Sequence, residues 1–115
     1  MTKLTYVIKY VGNMDGAVAF YEKEMGLTLR FQSPFWTEFD TGSTTLALHA
    51  ANAEHPAGSA SLGFGVPNVD EFYSAKSGAG VEFVSPPVTQ FGAKIAKFKD
   101  ADGAECSVSS PEEQA

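Results

Sequence analysis

The sequence predicts an α+β fold in which two tandem β-α-β-β-β repeats form a cupped mixed sheet with helices on its outer face. Two observations carry the prediction. Period-2 strand patterns and period-3.6 helix patterns follow one another in the same order twice along 115 residues. The strand-to-helix junctions Val11-Gly12-Asn13 and Val66-Pro67-Asn68 stand 55 residues apart, and Gly26-Leu27 and Gly80-Val81 recur at nearly that offset, as an internal duplication requires.

The first strand is predicted over Thr5 to Val11, with Tyr6, Ile8 and Tyr10 on one face and Val7, Lys9 and Val11 on the other. Asn13 is the expected N-cap and Asp15 suits the positive helix end. Ala17, Val18, Tyr21 and Met25 follow at helical spacing, and Gly26 closes the helix. Strands LTLRFQS, WTEFD and TTLALHA come next, with Thr41-Gly42-Ser43 as a turn. If Phe39 packs with Leu46 and Leu48 under the helix, Trp36 and Glu38 look the other way, as do Ala47 and His49. This completes repeat one, about residues 5–50.

ANAEHPAGSA, residues 51–60, is a small polar linker with no pattern of its own, and His55 falls within it as a loop residue. Repeat two spans about residues 61–109. It opens with a strand from Ser61 to Val66 and a helix capped by Asn68, with Asp70 and Glu71 in the first turn and Gly78 and Gly80 ending it. VEFV, KIAKFK and AECSVS are its remaining strands. Pro86-Pro87 fixes an extended loop that serves as a rim over the cup. Asp100-Ala101-Asp102-Gly103 is a tight turn, after which Cys106 and Val108 share one face and Glu105, Ser107 and Ser109 the other.

Bulk properties narrow the function. Apolar residues make up 43% and charged residues 19%, the balance of a globular protein, and residues 1–115 read as a single domain. A net charge of −6 with 8 Lys and Arg argues against nucleic acid and biases the chain toward neutral or cationic ligands. One cysteine precludes an intrachain disulfide and fits a reducing compartment. No run is long enough to span a membrane and the start lacks a signal-peptide pattern, so the expected location is cytoplasmic, with neither membrane nor nucleic acid as partner.

The paired repeats, the segment MDGAVAFYEKEMGLTLRF, the strand LALH and the segment FGAKIAKFKDADG resemble the vicinal oxygen chelate superfamily. Glyoxalase I, bleomycin-resistance and fosfomycin-resistance proteins and extradiol dioxygenases belong to it. The resemblance covers about Thr5 to Ser109. It implies that the cupped face is the site, that Phe91-Gly92 matches an aromatic-glycine pair of the relatives, and that chains of this length pair as homodimers whose sites both subunits line. It also implies four metal-ligand positions, one on the first and one on the last strand of each repeat. They fall on Tyr6, Ala47, Ser61 and Ser107, none an ordinary ligand; a shift of two residues brings in His49 or Glu105.

No metal or other cofactor is therefore expected. The reading is metal-independent binding of a small organic ligand, resembling sequestration by bleomycin-resistance proteins. Tyr6, Tyr10 and Trp36 would supply aromatic contact, and Glu38, His49, Ser61, Glu105 and Ser107 polar contact. Lys94, Lys97 and Lys99 are left unplaced. The alternatives are a glyoxalase-like lyase, isomerase or dioxygenase whose metal is held by His49 with Glu105 or Glu38, an enzyme using Glu38 or Glu105 as general base, and a regulatory module with a vestigial cup.

Overall fold

The computed structural model describes residues 1–90 and 92–111. Among them are eight strands and two α-helices, an α+β arrangement. Contacts divide the chain into one unit of Thr5–Ala60 and another of Ser61–Ala115 together with Met1–Leu4.

In the first unit, β1 (Lys3–Val11) leads to α1 (Met14–Ala19), followed by β2 (Thr28–Gln32), β3 (Trp36–Asp40) and β4 (Thr45–Ala50). The strands lie side by side as β2-β3-β4-β1. The β1–β4 pair is parallel and the others antiparallel. Asn13 caps α1, its side-chain oxygen accepting from the Gly16 N–H at 3.1 Å. Val18, Phe39 and Leu48 form the buried core, with Leu29, Leu46, Val11 and Tyr21 packed around them.

The helical phase expected to bury Met25 does not hold. Phe20–Glu24 widen into a π-helical turn in which the Met25 N–H bonds the Phe20 carbonyl. A five-residue turn lags the α-helical phase, and Met25 emerges exposed.

The second unit repeats this order with β5 (Ala60–Gly65), α2 (Val69–Gly78), β6 (Phe83–Gln90), β7 (Ala93–Lys99) and β8 (Glu105–Pro111), arranged β5-β8-β7-β6. Asn68 caps α2 as Asn13 caps α1, accepting from the Glu71 N–H at 3.1 Å. Ser110 adds a second acceptor for the same end, taking the Val69 N–H at 3.1 Å. Val66, Val69, Ala96 and Val108 are the core, joined by Phe64, Phe72, Phe83 and Phe98. Cys106 is buried, as its alternation with Glu105 and Ser107 requires.

The two turns that join strands also match. Asp40 accepts from the Gly42 N–H and Asp100 from the Asp102 N–H, both at 2.9 Å. Each turn then needs a left-handed residue, supplied by Gly42 (φ 100°) and Gly103 (φ 84°).

Several element bounds differ from the sequence reading. β1 begins at Lys3 and β8 runs to Pro111. Pro86-Pro87 does not form a rim loop but lies inside β6, where the register shifts on both sides of Ser85. Proline removes a ladder donor, and β6 is the outermost strand of its unit, the place where that loss is tolerated. Phe91 of the aromatic-glycine pair lies outside the described residues. Among the described residues no helix is long and apolar enough to cross a membrane.

Asn13→Ala and Asn68→Ala each remove the acceptor that satisfies one helix-end donor, and each is expected to lower stability by about 1 kcal/mol. Urea denaturation of the two single variants and the double variant checks this, with nearly additive losses expected for separated sites.

Candidate functional site

In the first unit the strand register decides which side chains face away from α1. Phe39 and Leu48 are fully buried beneath the helix. Trp36 stands opposite His49 and Glu38 opposite Ala47, while Ala47 and His49 pair in turn with Ile8 and Tyr10 of β1. Five of the predicted site residues, Tyr6, Tyr10, Trp36, Glu38 and His49, thus lie together on the face without the helix.

Their rings form a continuous run. Tyr6 and Trp36 have centroids 6.2 Å apart, Trp36 meets the His49 ring edge-on at 5.9 Å and 90°, and His49 lies 5.2 Å from Tyr10. The run ends on a residue the sequence reading left in the linker. His55 stacks on Tyr10 at 4.4 Å and 12°. Tyr10 is consequently only 7% exposed.

Glu38 is the polar centre. Its Oε2 accepts from the Trp36 indole N–H at 2.8 Å. Its Oε1 takes the Arg30 guanidinium, at 3.3 Å from Nε and 3.0 Å from Nη2, and the same Nη2 donates to Thr45 Oγ1 at 2.5 Å. Arg30 follows Leu29, which pairs with Phe39 on the helix side, so alternation sends it to this face; the β2–β3 register then shifts between Leu29 and Phe31. Glu38 was expected to supply polar contact; the structure pairs it with a cation. The sequence reading gave Arg30 and Thr45 no role, although alternation from Leu29 and Leu46, both on the helix side, places them on this face.

Tyr6 senses this arrangement. Burial pushes its phenol above the ordinary value of 10.0, the Glu38 carboxylate raises it further, and Arg30 opposes the rise. The phenol is therefore a neutral donor over the physiological range. His49 Nδ1 contacts the Ala50 carbonyl at 2.7 Å, which fixes the ring.

In the second unit, Ser107 pairs with Gly63 on one side and Lys97 on the other, and Ser109 with Gly65. Ser61 has the parity of Gly63, so Ser61, Ser107 and Glu105 share the face away from α2. The unplaced lysines separate here. Lys94 bonds Asp70 of α2 at 2.5 Å and belongs to the helix side. Lys97 and Lys99 lie on the Ser107 side, Lys97 pairing with Glu105 at 3.4 Å and Lys99 with Glu82 at 3.3 Å. Glu105, like Glu38, has a cationic neighbour that the sequence reading did not assign to it.

These residues do not compose a divalent-metal ligand set. Ala47 has no donor and is fully buried, Tyr6 keeps its proton, and both oxygens of Glu38 are engaged. Among the described residues no group of three or more His, Cys, Asp and Glu side chains is placed to hold an ion. A depression bounded by Asn13, Asp15, Gln32 and Pro34 lies outside the ring run.

No curated protein matches the sequence. Among solved structures, a hypothetical protein from Bacillus halodurans C-125 is similar with a TM-score of 0.83 and 19% identity, over 99% of this chain and 97% of that one. A methylmalonyl-CoA epimerase variant from Streptomyces coelicolor, in complex with 2-nitronate-propionyl-CoA, is similar with a TM-score of 0.79 and 17% identity, over 98% and 99% of the chains. A glyoxalase/bleomycin resistance protein/dioxygenase superfamily member from Vibrio splendidus 12B01 has a TM-score of 0.69 and 10% identity, over 96% and 99%. At these identities the likeness is one of fold. The family profile itself aligns with residues 3–108, and the chain belongs to the Glyoxalase/Bleomycin resistance protein/Dioxygenase superfamily.

Proposed function

We propose that this protein binds a small, planar, neutral or cationic organic ligand without a metal ion, on the face that carries Tyr6, Trp36 and Glu38. The observation that carries the reading is the Trp36–Glu38–Arg30 arrangement beside Tyr6. The indole is held by its own N–H, 2.8 Å from Glu38 Oε2, so its ring plane is set before a ligand arrives. The carboxylate is compensated by Arg30, which leaves a face of low net charge although the whole chain carries −6. An aromatic plane with a neutral phenol donor beside it suits a conjugated ring bearing an acceptor oxygen or nitrogen.

The donor chemistry supports a metal-free site, and the bleomycin-resistance members of the superfamily offer a functional analogy. A lyase or isomerase holding a metal through Glu38 would place the ion on a carboxylate that already accepts from Arg30 and Trp36. We also propose a homodimer. Phe31 lies on β2, the outermost strand of its unit, and Phe35 in the turn that follows it; both are exposed, and a second copy would cover them.

Two measurements test the reading. Elemental mass spectrometry of protein prepared without chelators is expected to find no stoichiometric divalent metal, and coumarin (neutral) and proflavine (cationic) to quench Trp36 emission saturably. Trp36→Leu is expected to weaken both by about tenfold in calorimetric titration, the size of one stacking contact. One tightly held ion per chain would sink the proposal in favour of a metalloenzyme.

The Tyr6 shift gives the second. A phenol whose folded-state pKa is raised contributes stability that is complete below the unfolded value and is lost as pH rises through the folded one. Unfolding free energy should therefore fall from pH about 10 upward, and Tyr6→Phe should flatten that fall. Glu38→Gln should bring the tyrosinate absorbance transition of Tyr6 to lower pH, and Arg30→Gln should carry it higher.

A further inference from the structure

Residues 51–59 have no periodic pattern, yet they are held at both ends against β1. The Ala51 N–H donates to the Val11 carbonyl at 2.9 Å. Beyond the turn, the Gly58 N–H donates to the Tyr10 carbonyl and the Tyr10 N–H to the Ser59 carbonyl, each at 2.9 Å. Lys9 Nζ adds a bond to the Gly58 carbonyl at 3.2 Å. Between these anchors, Asn52 builds the turn. Its side-chain oxygen accepts from the N–H groups of Glu54 at 3.0 Å and His55 at 2.8 Å, and its own N–H donates to the His55 carbonyl at 2.9 Å.

The turn thus presents one side chain in a fixed direction, and that side chain is the imidazole stacked on Tyr10. Tyr10 has no ring face left to offer. His55 covers it at 4.4 Å and His49 leans on it at 5.2 Å. The His49 ring, fixed at Nδ1, in turn meets Trp36 edge-on.

We infer that His55 is a positioning residue of the binding face: stacked on Tyr10 from the linker, it sets, through Tyr10 and His49, the angle at which Trp36 meets a ligand. The inference rests on the binding role proposed above. It also narrows specificity. With Tyr10 covered, stacking falls to Trp36 and Tyr6 alone, so the occupant is one planar ring system rather than a ligand sandwiched along the whole run.

The chain has two histidines and one tryptophan, so each signal needed for a test stands alone. His55→Ala and His55→Phe are compared with the unaltered protein by imidazole proton resonances, Trp36 emission and coumarin titration, with far-ultraviolet circular dichroism confirming the fold. His55→Ala is expected to shift the His49 ring protons and the Trp36 emission, though His55 touches neither Trp36 nor Glu38, and to weaken coumarin binding between about twofold and tenfold. His55→Phe keeps a flat ring on Tyr10 and should restore all three. His49 and Trp36 signals unchanged in a folded His55→Ala protein would overturn the inference. Failure of coumarin to bind even the unaltered protein would instead refute the binding role, while the ligand-free signals would still report whether His55 sets the Trp36 angle.

Discussion

Burial of Phe39 and Leu48 under α1 is the constraint from which the candidate site follows. Neither side chain has any accessible surface, and each contributes about 2–3 kcal/mol by leaving water. Side chains alternate along a strand, so this choice sends Trp36, Glu38, Ala47 and His49 to the opposite face together. A slip of one residue would carry Phe39 and Leu48 into the open and place the Glu38 carboxylate under the helix, where an unpaired charge costs far more than a lost contact. The site's composition is therefore a by-product of the core's register. The parallel β1–β4 pairing extends the same parity to Tyr6 and Tyr10, which a β1 strand shifted by one would bury beside Val18.

The electrostatics of that face depend on one cation in it. Leu29 packs on the helix side, so alternation carries Arg30 to the Glu38 face. There its guanidinium meets Glu38 and Thr45, while the shift between Leu29 and Phe31 sets the Phe31 backbone across from Glu38. Arg30 is 44% exposed and Glu38 21%, so the pair adds little to stability. Its effect is on geometry and local charge. The carboxylate stays put, the Trp36 indole stays on it, and the phenol of Tyr6 stays neutral against a partly cancelled field. Each Glu38 oxygen has one partner residue, Trp36 at Oε2 and Arg30 at Oε1, so the carboxylate orients both.

What could be read from the sequence was what short-range chemistry dictates. Asn13 and Asn68 announce helix starts because their side chains accept a helix-end N–H wherever the surrounding fold allows. Gly42 and Gly103 mark turns because few other residues adopt a left-handed backbone there. The placement of Trp36 and Glu38 opposite Phe39 followed from alternation alone. What escaped depends on where long side chains end or on contacts across the linker. Alternation puts Arg30 on the Glu38 face, but it does not show which carboxylate a long side chain meets, so Arg30 went unassigned. His55 sits in a stretch of small polar residues whose path is set by bonds to Tyr10, 45 positions earlier in the chain. Pro86-Pro87 read as a loop because proline weakens a strand, yet an outermost strand needs fewer donors than an inner one. The lysines of β7 were ambiguous until Ala96 and Phe98, buried against α2, fixed which side Lys97 faces.

The two units share their scaffold and differ in what they display. Cap, helix, strand order and aspartate turn recur in both, and in both the helix side is filled with apolar residues. The opposite faces share a paired carboxylate, Glu38 with Arg30 and Glu105 with Lys97, and otherwise differ. One carries Tyr6, Trp36, His49 and Tyr10; the other carries Ser107 and Ser109 beside Gly63 and Gly65, with Lys97 across the strand. A family built this way can keep its architecture while its sites change chemistry, which is why membership fixes the fold of this chain and leaves its ligand to be argued from the side chains themselves. At Ala47 the argument is sharpest. A position from which a ligating side chain would point at Glu38 holds a fully buried methyl group, and the carboxylate it would have joined is given over to orienting an indole.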